Sequence, residues 1–245
     1  MDNVKELKAR IRERIWRLLE EKNIARFPRP VYGRIPNFIG AEEAASNLFK
    51  TRMWVKAHII KVNPDSPQRI VRLRALHEGK ILLMPTPRLR EGFLLLDPNV
   101  IPSRDYSLAS SIKGAFIYGR KLGLVELLRI ESVDLIVIGS VAVDYMGTRI
   151  GKGGGYAELE YAILREIGKV DDKTLVVTTV HDIQVLSEEL PRELHDVPVD
   201  VIYTPTRTIR AKKSYPKPKG IYWELLSKDK LDSIPILREL KKVKG

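Results

Sequence analysis

Apolar residues recur at three- and four-residue steps from Val4 through Leu7, Ile11, Ile15 and Leu18, the period of a helix with one buried stripe. Asn3 ahead of that stripe, with Glu6 three residues on, has the spacing of a capped start with a reciprocal acid. The stretch FPRPVYGRIPNFIG, Phe27 to Gly40, holds three prolines and two glycines and is expected to be extended or turning. AEEAASNLFKTR then reads as a short helix. Trp54–Val62 and Lys80–Met84 read as strands, with Ile70–His77 helical between them. VDLIVIGSVAV from Val133 is one continuous apolar run rich in β-branched residues, and TLVVTTV from Thr174 and VDVIYT from Val199 are similar. Such runs are typical of strands covered on both faces. Alternating strands and helices predict an α/β fold whose central sheet is mostly parallel and flanked by helices. The 245 residues show no internal repeat and no separating linker, so a single domain is expected. From SYPKPKG at Ser214 to Gly245 a basic loop, a short helical tail and a frayed end are expected.

The periodicity breaks most sharply at RIGKGGGYAELEYAIL, Arg149 to Leu164, where four glycines fall within five positions. Glycines let backbone N–H groups approach a ligand closely and adopt positive φ, which builds anion-binding concavities. Tyr156, Leu159, Ile163 and Ile167 follow at helical spacing, so the loop opens onto a helix N-terminus, the positive end of its dipole. With the Val133–Val143 strand before it, the unit is strand, loop, helix. Arg149 and Lys152 add fixed positive charge, and the combination points to phosphate. Two familiar phosphate motifs do not fit. Gly147 to Gly151 leaves three intervening residues where a Walker loop needs four, and Gly153 follows Lys152 where Ser or Thr is required. A dinucleotide fingerprint starting at Gly151 would need glycine in place of Tyr156.

Composition narrows the chemistry. There is no cysteine, which removes disulfides, thiolate metal sites and a catalytic thiol together. MDNVKELKARIRER is charged throughout with no apolar signal core, and no apolar run approaches a membrane span; a cytoplasmic protein is expected. The net charge of +12 suits a polyanionic partner, either RNA or a highly phosphorylated small molecule. Glutamine occurs only at Gln68 and Gln184, a composition that leans toward a thermophilic source. Lys8 and Arg12 sit four apart on one helix face, either as a solvated basic face or as a phosphate clamp. His181-Asp182 and His195-Asp196 resemble the paired ligands of metal-dependent phosphohydrolases, but each borders a strand and only four histidines are present. Glu158, Asp182 and Asp196 are the candidate carboxylates for Mg²⁺, which prefers one or two acids plus phosphate oxygens.

DLIVIGSVAVDYMGTRIGKGGGYAELE, followed by HDIQ and LPRELHDVPVDVIYTPT, resembles the 5-formyltetrahydrofolate cyclo-ligase (methenyltetrahydrofolate synthetase) family. Arg149, Gly151, Gly153, Gly155 and Tyr156 match the Arg-x-Gly-x-Gly-x-Gly-Tyr loop of that family, Asp196 and Asp200 its later Asp-x-x-x-Asp, and Lys8 and Arg12 its Lys-x-x-x-Arg. FPRPVYGRIPNFIGAEEAA, MPTPRLREGF, VVTTVHDIQV, TPTRTI and IPILREL are similar to the methenyltetrahydrofolate synthetase domain-containing branch, which in animals is joined to an RNA-recognition module.

The resemblance implies a fold of the NagB/RpiA/CoA-transferase-like kind and an ATP- and Mg²⁺-dependent ring closure of a 5-formyl reduced folate or related pterin. By position it places ATP against Lys8, Arg12 and the stretch Arg149, Ile150, Gly151, Lys152, Gly153, Gly154, Gly155 and Tyr156. It places the pterin against Arg12, Asp65 and Lys152 to Tyr156, and magnesium against Glu158 and Asp196. A non-catalytic nucleotide- or RNA-binding protein on the same scaffold is the alternative. Two departures stand out: Ala157 replaces the second tyrosine of the usual Gly-Tyr-Tyr-Asp, and Glu158 replaces its aspartate.

Overall fold

The computed structural model describes residues 3–212 and 215–244; Ser214, where the basic tail is expected to begin, lies outside them. The first helix, α1 (Val4–Glu21), forms as its periodicity predicts and buries Ile15, Trp16 and Leu19. Asn3 caps it by accepting from the Lys5 N–H at 3.2 Å, so the cap bond falls one residue short of the anticipated Glu6. Two further helices follow, α2 (Ala41–Phe49) and α3 (Arg69–His77).

The central sheet has eight strands: β1 (Ile59–Val62), β2 (Ile81–Pro85), β3 (Phe93–Leu96), β4 (Arg120–Leu122), β5 (Leu135–Val137), β8 (Leu175–Thr179), β10 (Val201–Tyr203) and β11 (Thr208–Arg210). Its order is β11-β10-β8-β5-β1-β2-β3-β4. The five inner strands from β10 to β2 run parallel, and antiparallel pairs close both edges. Parallel strands buried on both faces need apolar residues throughout, which is why these segments lack alternation. One face packs Ile60, Val137, Val177 and Tyr203 against residues of α2 and α3. The other packs Ile59, Ile136 and Ile202 against α4 (Tyr156–Glu166).

Two sequence expectations are corrected here. Trp54 belongs to a short helix, Arg52–Lys56, and the strand starts only at Ile59. Thr51 accounts for the helix by capping it at the Trp54 N–H, and the indole N–H then donates to Glu78 Oε2 at 2.6 Å. The apolar run from Val133 is likewise not one strand. After β5 the chain passes Gly139, where a Cβ would lie 2.9 Å from Ile35, bends at Val141 and enters a second, three-stranded sheet. That sheet contains β6 (Ala142–Asp144), β7 (Arg149–Ile150) and β9 (Val185–Leu186). Burial is continuous across the break, so hydrophobicity alone hides it.

The smaller sheet shares a core with α1, built from Ile15, Trp16, Leu19, Val141, Ala142 and Ile150. A helical tail closes the described chain. The last helix, α5 (Pro235–Lys244), is anchored by the buried Ile236, Leu237 and Leu240 in the large core beneath α4. No helix among the described residues is long and apolar enough to cross a membrane.

Candidate active site

The glycine loop leaves the smaller sheet at β7 and ends at the start of α4. Gly153 has φ +103° and Gly155 φ +66°, so both occupy backbone conformations that L side chains rarely adopt. Gly151 has a different reason to lack a side chain: a Cβ there would lie 2.8 Å from the guanidinium of Arg149. Gly155 at the N-cap offers no side chain to the first N–H groups of α4, of which Glu158 accepts only its own, and the positive end of the dipole faces the loop. Ile150 turns its side chain into the core of the smaller sheet, so only its backbone can face the loop opening.

Cations converge on this loop from separate segments. Arg149 is 2 % exposed, and its Nη1 donates to Glu158 Oε1 at 2.9 Å. Its Nε is buried without a hydrogen-bond partner. Arg12 donates from Nε to the Gly151 carbonyl at 2.7 Å, and its guanidinium passes beside Gly153. Burial lowers the Arg12 pKa, and the opposing fields of Glu158 and Asp196 only partly offset it. Lys8 is buried rather than part of a solvated face. Its Nζ donates to Glu193 Oε2 at 2.9 Å and to Asp196 Oδ2 at 2.5 Å. Lys152 reaches the other way, to Asp65 Oδ1 at 2.7 Å. The structure therefore assembles Lys8, Arg12, Arg149, Lys152, Asp65, Glu158 and Asp196 around one loop, across 188 residues of sequence.

Glu158 is held in its ionised form. Burial pushes the Glu158 carboxyl up, but Arg149, its own backbone N–H, Lys8 and His195 together bring it below the ordinary glutamate range. Glu193, His195 and Asp196 offer ligand atoms within 4.8 Å of one another, with Lys8 Nζ bonded to both carboxylates. His195 Nδ1 is buried without a partner.

A model of the 5-formyltetrahydrofolate cyclo-ligase family matches residues 4–205, which includes every one of these groups. The chain belongs to that family. It is 43 % identical over 244 residues to a methenyltetrahydrofolate synthase domain-containing protein of Danio rerio, and 45 % identical over 236 residues to one of Homo sapiens. These matches take in 98 % and 94 % of this chain, which spans 63 % and 60 % of the two relatives. A 5-formyltetrahydrofolate cyclo-ligase of Escherichia coli is 31 % identical over 91 residues, 37 % of this chain and 47 % of that one. Among solved structures, an Aquifex aeolicus 5,10-methenyltetrahydrofolate synthetase superimposes with a TM-score of 0.54 at 22 % identity, covering 85 % of this chain and 95 % of that one.

Within this cyclo-ligase relative the two His-Asp pairs part company. His181 Nδ1 accepts the Ile183 N–H, and Asp182 accepts from the hydroxyls of Thr204 and Thr206 and from Arg207 Nε. That pair builds a turn, and Asp182 is removed from the magnesium candidates. His195-Asp196 instead faces Lys8. Asp200, the second acid of the Asp-x-x-x-Asp, accepts the Val176 N–H at 2.7 Å and pairs with Lys217, so it joins strands rather than lining the loop.

Three contributors escaped the sequence reading. Lys61 on β1 and Glu160 on α4 form a buried ion pair, with Asn63 Nδ2 donating to the same Glu160 oxygen at 3.0 Å. A charge inside the strand IIKV and an acid on the inward side of YAELEYAIL were the available signals. Glu193 completes the Lys8 site; as an acid in a loop it carried no signal.

Proposed function

We propose that the chain catalyses an ATP-dependent ring closure, converting 5-formyltetrahydrofolate or a related formylated pterin to its 5,10-methenyl form. The observation that carries this reading is the convergence of Lys8, Arg12 and Arg149 on a glycine loop, with the buried Arg149 Nε lacking a partner. A buried donor left unsatisfied is costly, and a phosphate oxygen is the complement to such a group.

The chemistry demands this kind of site. A formyl amide oxygen is a poor leaving group and phosphate a good one. Transfer of the γ-phosphoryl group from ATP forms an O–P bond at the formyl oxygen as the bond to ADP breaks. N10 then attacks the activated carbon and loses its proton, and phosphate departs with the former formyl oxygen. Neither step needs a covalent bond to the protein, so the residues act by positioning and by neutralising charge. Lys8, Arg12, Arg149 and the Arg149–Tyr156 backbone bind the triphosphate. Asp65, held by Lys152, lies on the pterin side with Arg12 and the loop from Lys152 to Tyr156.

Magnesium fits the donor set, because Glu158 and Asp196 supply hard carboxylate oxygens beside the same cations that would bind phosphate. Those two acids would hold it, and its chemical contribution is to offset charge on the triphosphate. The dependence is measurable as the gain in ATP affinity on adding Mg²⁺. That gain is expected to shrink in both Glu158→Gln and Asp196→Asn. A gain that survives in Glu158→Gln and vanishes in Asp196→Asn would reduce Glu158 to the counter-ion of Arg149.

The deciding assay supplies ATP and 5-formyltetrahydrofolate and follows absorbance of the methenyl product, with formylated methanopterins in parallel. Appearance of the chromophore only with ATP supports the reading. Salt-sensitive RNA binding with no turnover of any formylated pterin would replace it with a binding function.

A further inference from the structure

The family match ends at residue 205, yet the chain after it returns to the loop. Ile221, Tyr222, Leu225 and Leu226 line a small cleft against Glu158 and Leu159 at the start of α4. Lys230, in the short helix Lys228–Ser233, stands at its rim. The Ser227 hydroxyl caps that helix at the Lys230 N–H, and Ile234 beyond it is fully buried, so the lysine is carried on an anchored segment. Its Nζ lies 5.1 Å from the centroid of the Tyr156 ring and would be 3.0 Å from a Cβ on Gly155.

Lys8 pairs with Glu193 and Asp196, Arg149 with Glu158 and Lys152 with Asp65, and Arg12 donates to the neutral Gly151 carbonyl. Lys230 forms no ion pair among the described residues, although it is half-buried against an aromatic face. Glu158, the acid whose field reaches it, is already the counter-ion of Arg149, and Lys5 repels it. A partly desolvated ammonium that shares its one acid with a buried arginine, itself left with an unpartnered Nε, makes positive charge the excess at this helix start.

We propose that Lys230 is an additional phosphate-binding residue, through which the segment after the family match closes the glycine loop over the terminal phosphates of the nucleotide. The proposal rests on the loop binding a nucleoside triphosphate, as inferred above. The ring of Tyr156 would hold the ammonium in place before the ligand arrives, and the anion would complete its solvation.

Lys230→Met keeps the aliphatic stem over Tyr156 and deletes the charge, and Lys230→Arg keeps the charge. Affinities for ATP and AMP, measured by calorimetry on the full chain, separate the possibilities, with thermal midpoints as a check on folding. The expected result is about a tenfold loss of ATP affinity in Lys230→Met, a much smaller loss for AMP, an unchanged midpoint and recovery in Lys230→Arg. Wild-type affinity for ATP in Lys230→Met overturns the proposal alone. Equal losses for ATP and AMP overturn it as well, since the lysine would then act on the nucleoside or the loop shape. Wild-type protein that binds neither nucleotide overturns the triphosphate reading, and this proposal with it.

Discussion

Lys61→Met is expected to lower the free energy of unfolding by about 3–5 kcal/mol, the usual cost of removing one partner from a buried ion pair. Lys61 is 1 % exposed and Glu160 4 % exposed, so water cannot replace the lost ammonium. Asn63 would remain as the only donor to the carboxylate among the described residues, at 3.0 Å. The penalty comes from the stranded charge and not from lost attraction, which makes a sharp expectation for the double variant. Lys61→Met/Glu160→Met should recover most of the stability, because two apolar side chains of similar length fill the same space between β1 and α4. Urea unfolding of the two single variants and the double variant forms a cycle that reads the coupling directly. A double variant as unstable as the sum of the singles would mean that each residue acts through other neighbours.

Arg149→Met is expected to weaken ATP binding by about a hundredfold, the largest effect on affinity of any single change at the loop. The estimate follows from removing a buried guanidinium able to give two charge-assisted bonds, each worth about 1.5–3 kcal/mol, with part of that offset by relaxation. The variant also leaves Glu158 without its counter-ion, so lost binding could be blamed on a damaged fold. Arg149→Met/Glu158→Gln removes both charges and should restore the unfolding midpoint while leaving ATP affinity low. If the double variant regains wild-type affinity, Arg149 serves only to neutralise Glu158. Unchanged affinity in the single variant would remove the central observation behind the ATP reading.

Much of the candidate site is legible in the amino-acid sequence. The glycine loop announced itself because positive φ has a residue-level signature, and Gly153 and Gly155 carry it. Lys8 and Arg12 were visible as a pair because helical spacing fixes which residues share a face. The burial of Lys8 was not visible, since it depends on Glu193 and Asp196 arriving from 185 and 188 residues away. The break after Val137 was hidden for a related reason. Apolar runs report burial, and the link between two sheets is as buried as a strand. Trp54 favours strands, yet Thr51 ahead of it caps a short helix at the Trp54 N–H. Lys230 has no local signal at all, because what makes it notable is its place beside Tyr156 and Gly155 with no ion pair among the described residues.

The link from β5 to the smaller sheet has a consequence for how such a protein can diversify. It hands the loop, with Lys8 and Arg12, to a core centred on Trp16 and Ile150, while Lys61 lies in the eight-stranded sheet, Asp65 in the loop after its β1 and Glu160 on α4. The cleft is therefore a seam where two cores meet across the smaller sheet, which packs Ala142 with Trp16 on one side and Val143 into the core under α4 on the other. Exposed groups along that join can be exchanged without disturbing the strands beneath it, and those are the changes this construction permits most easily.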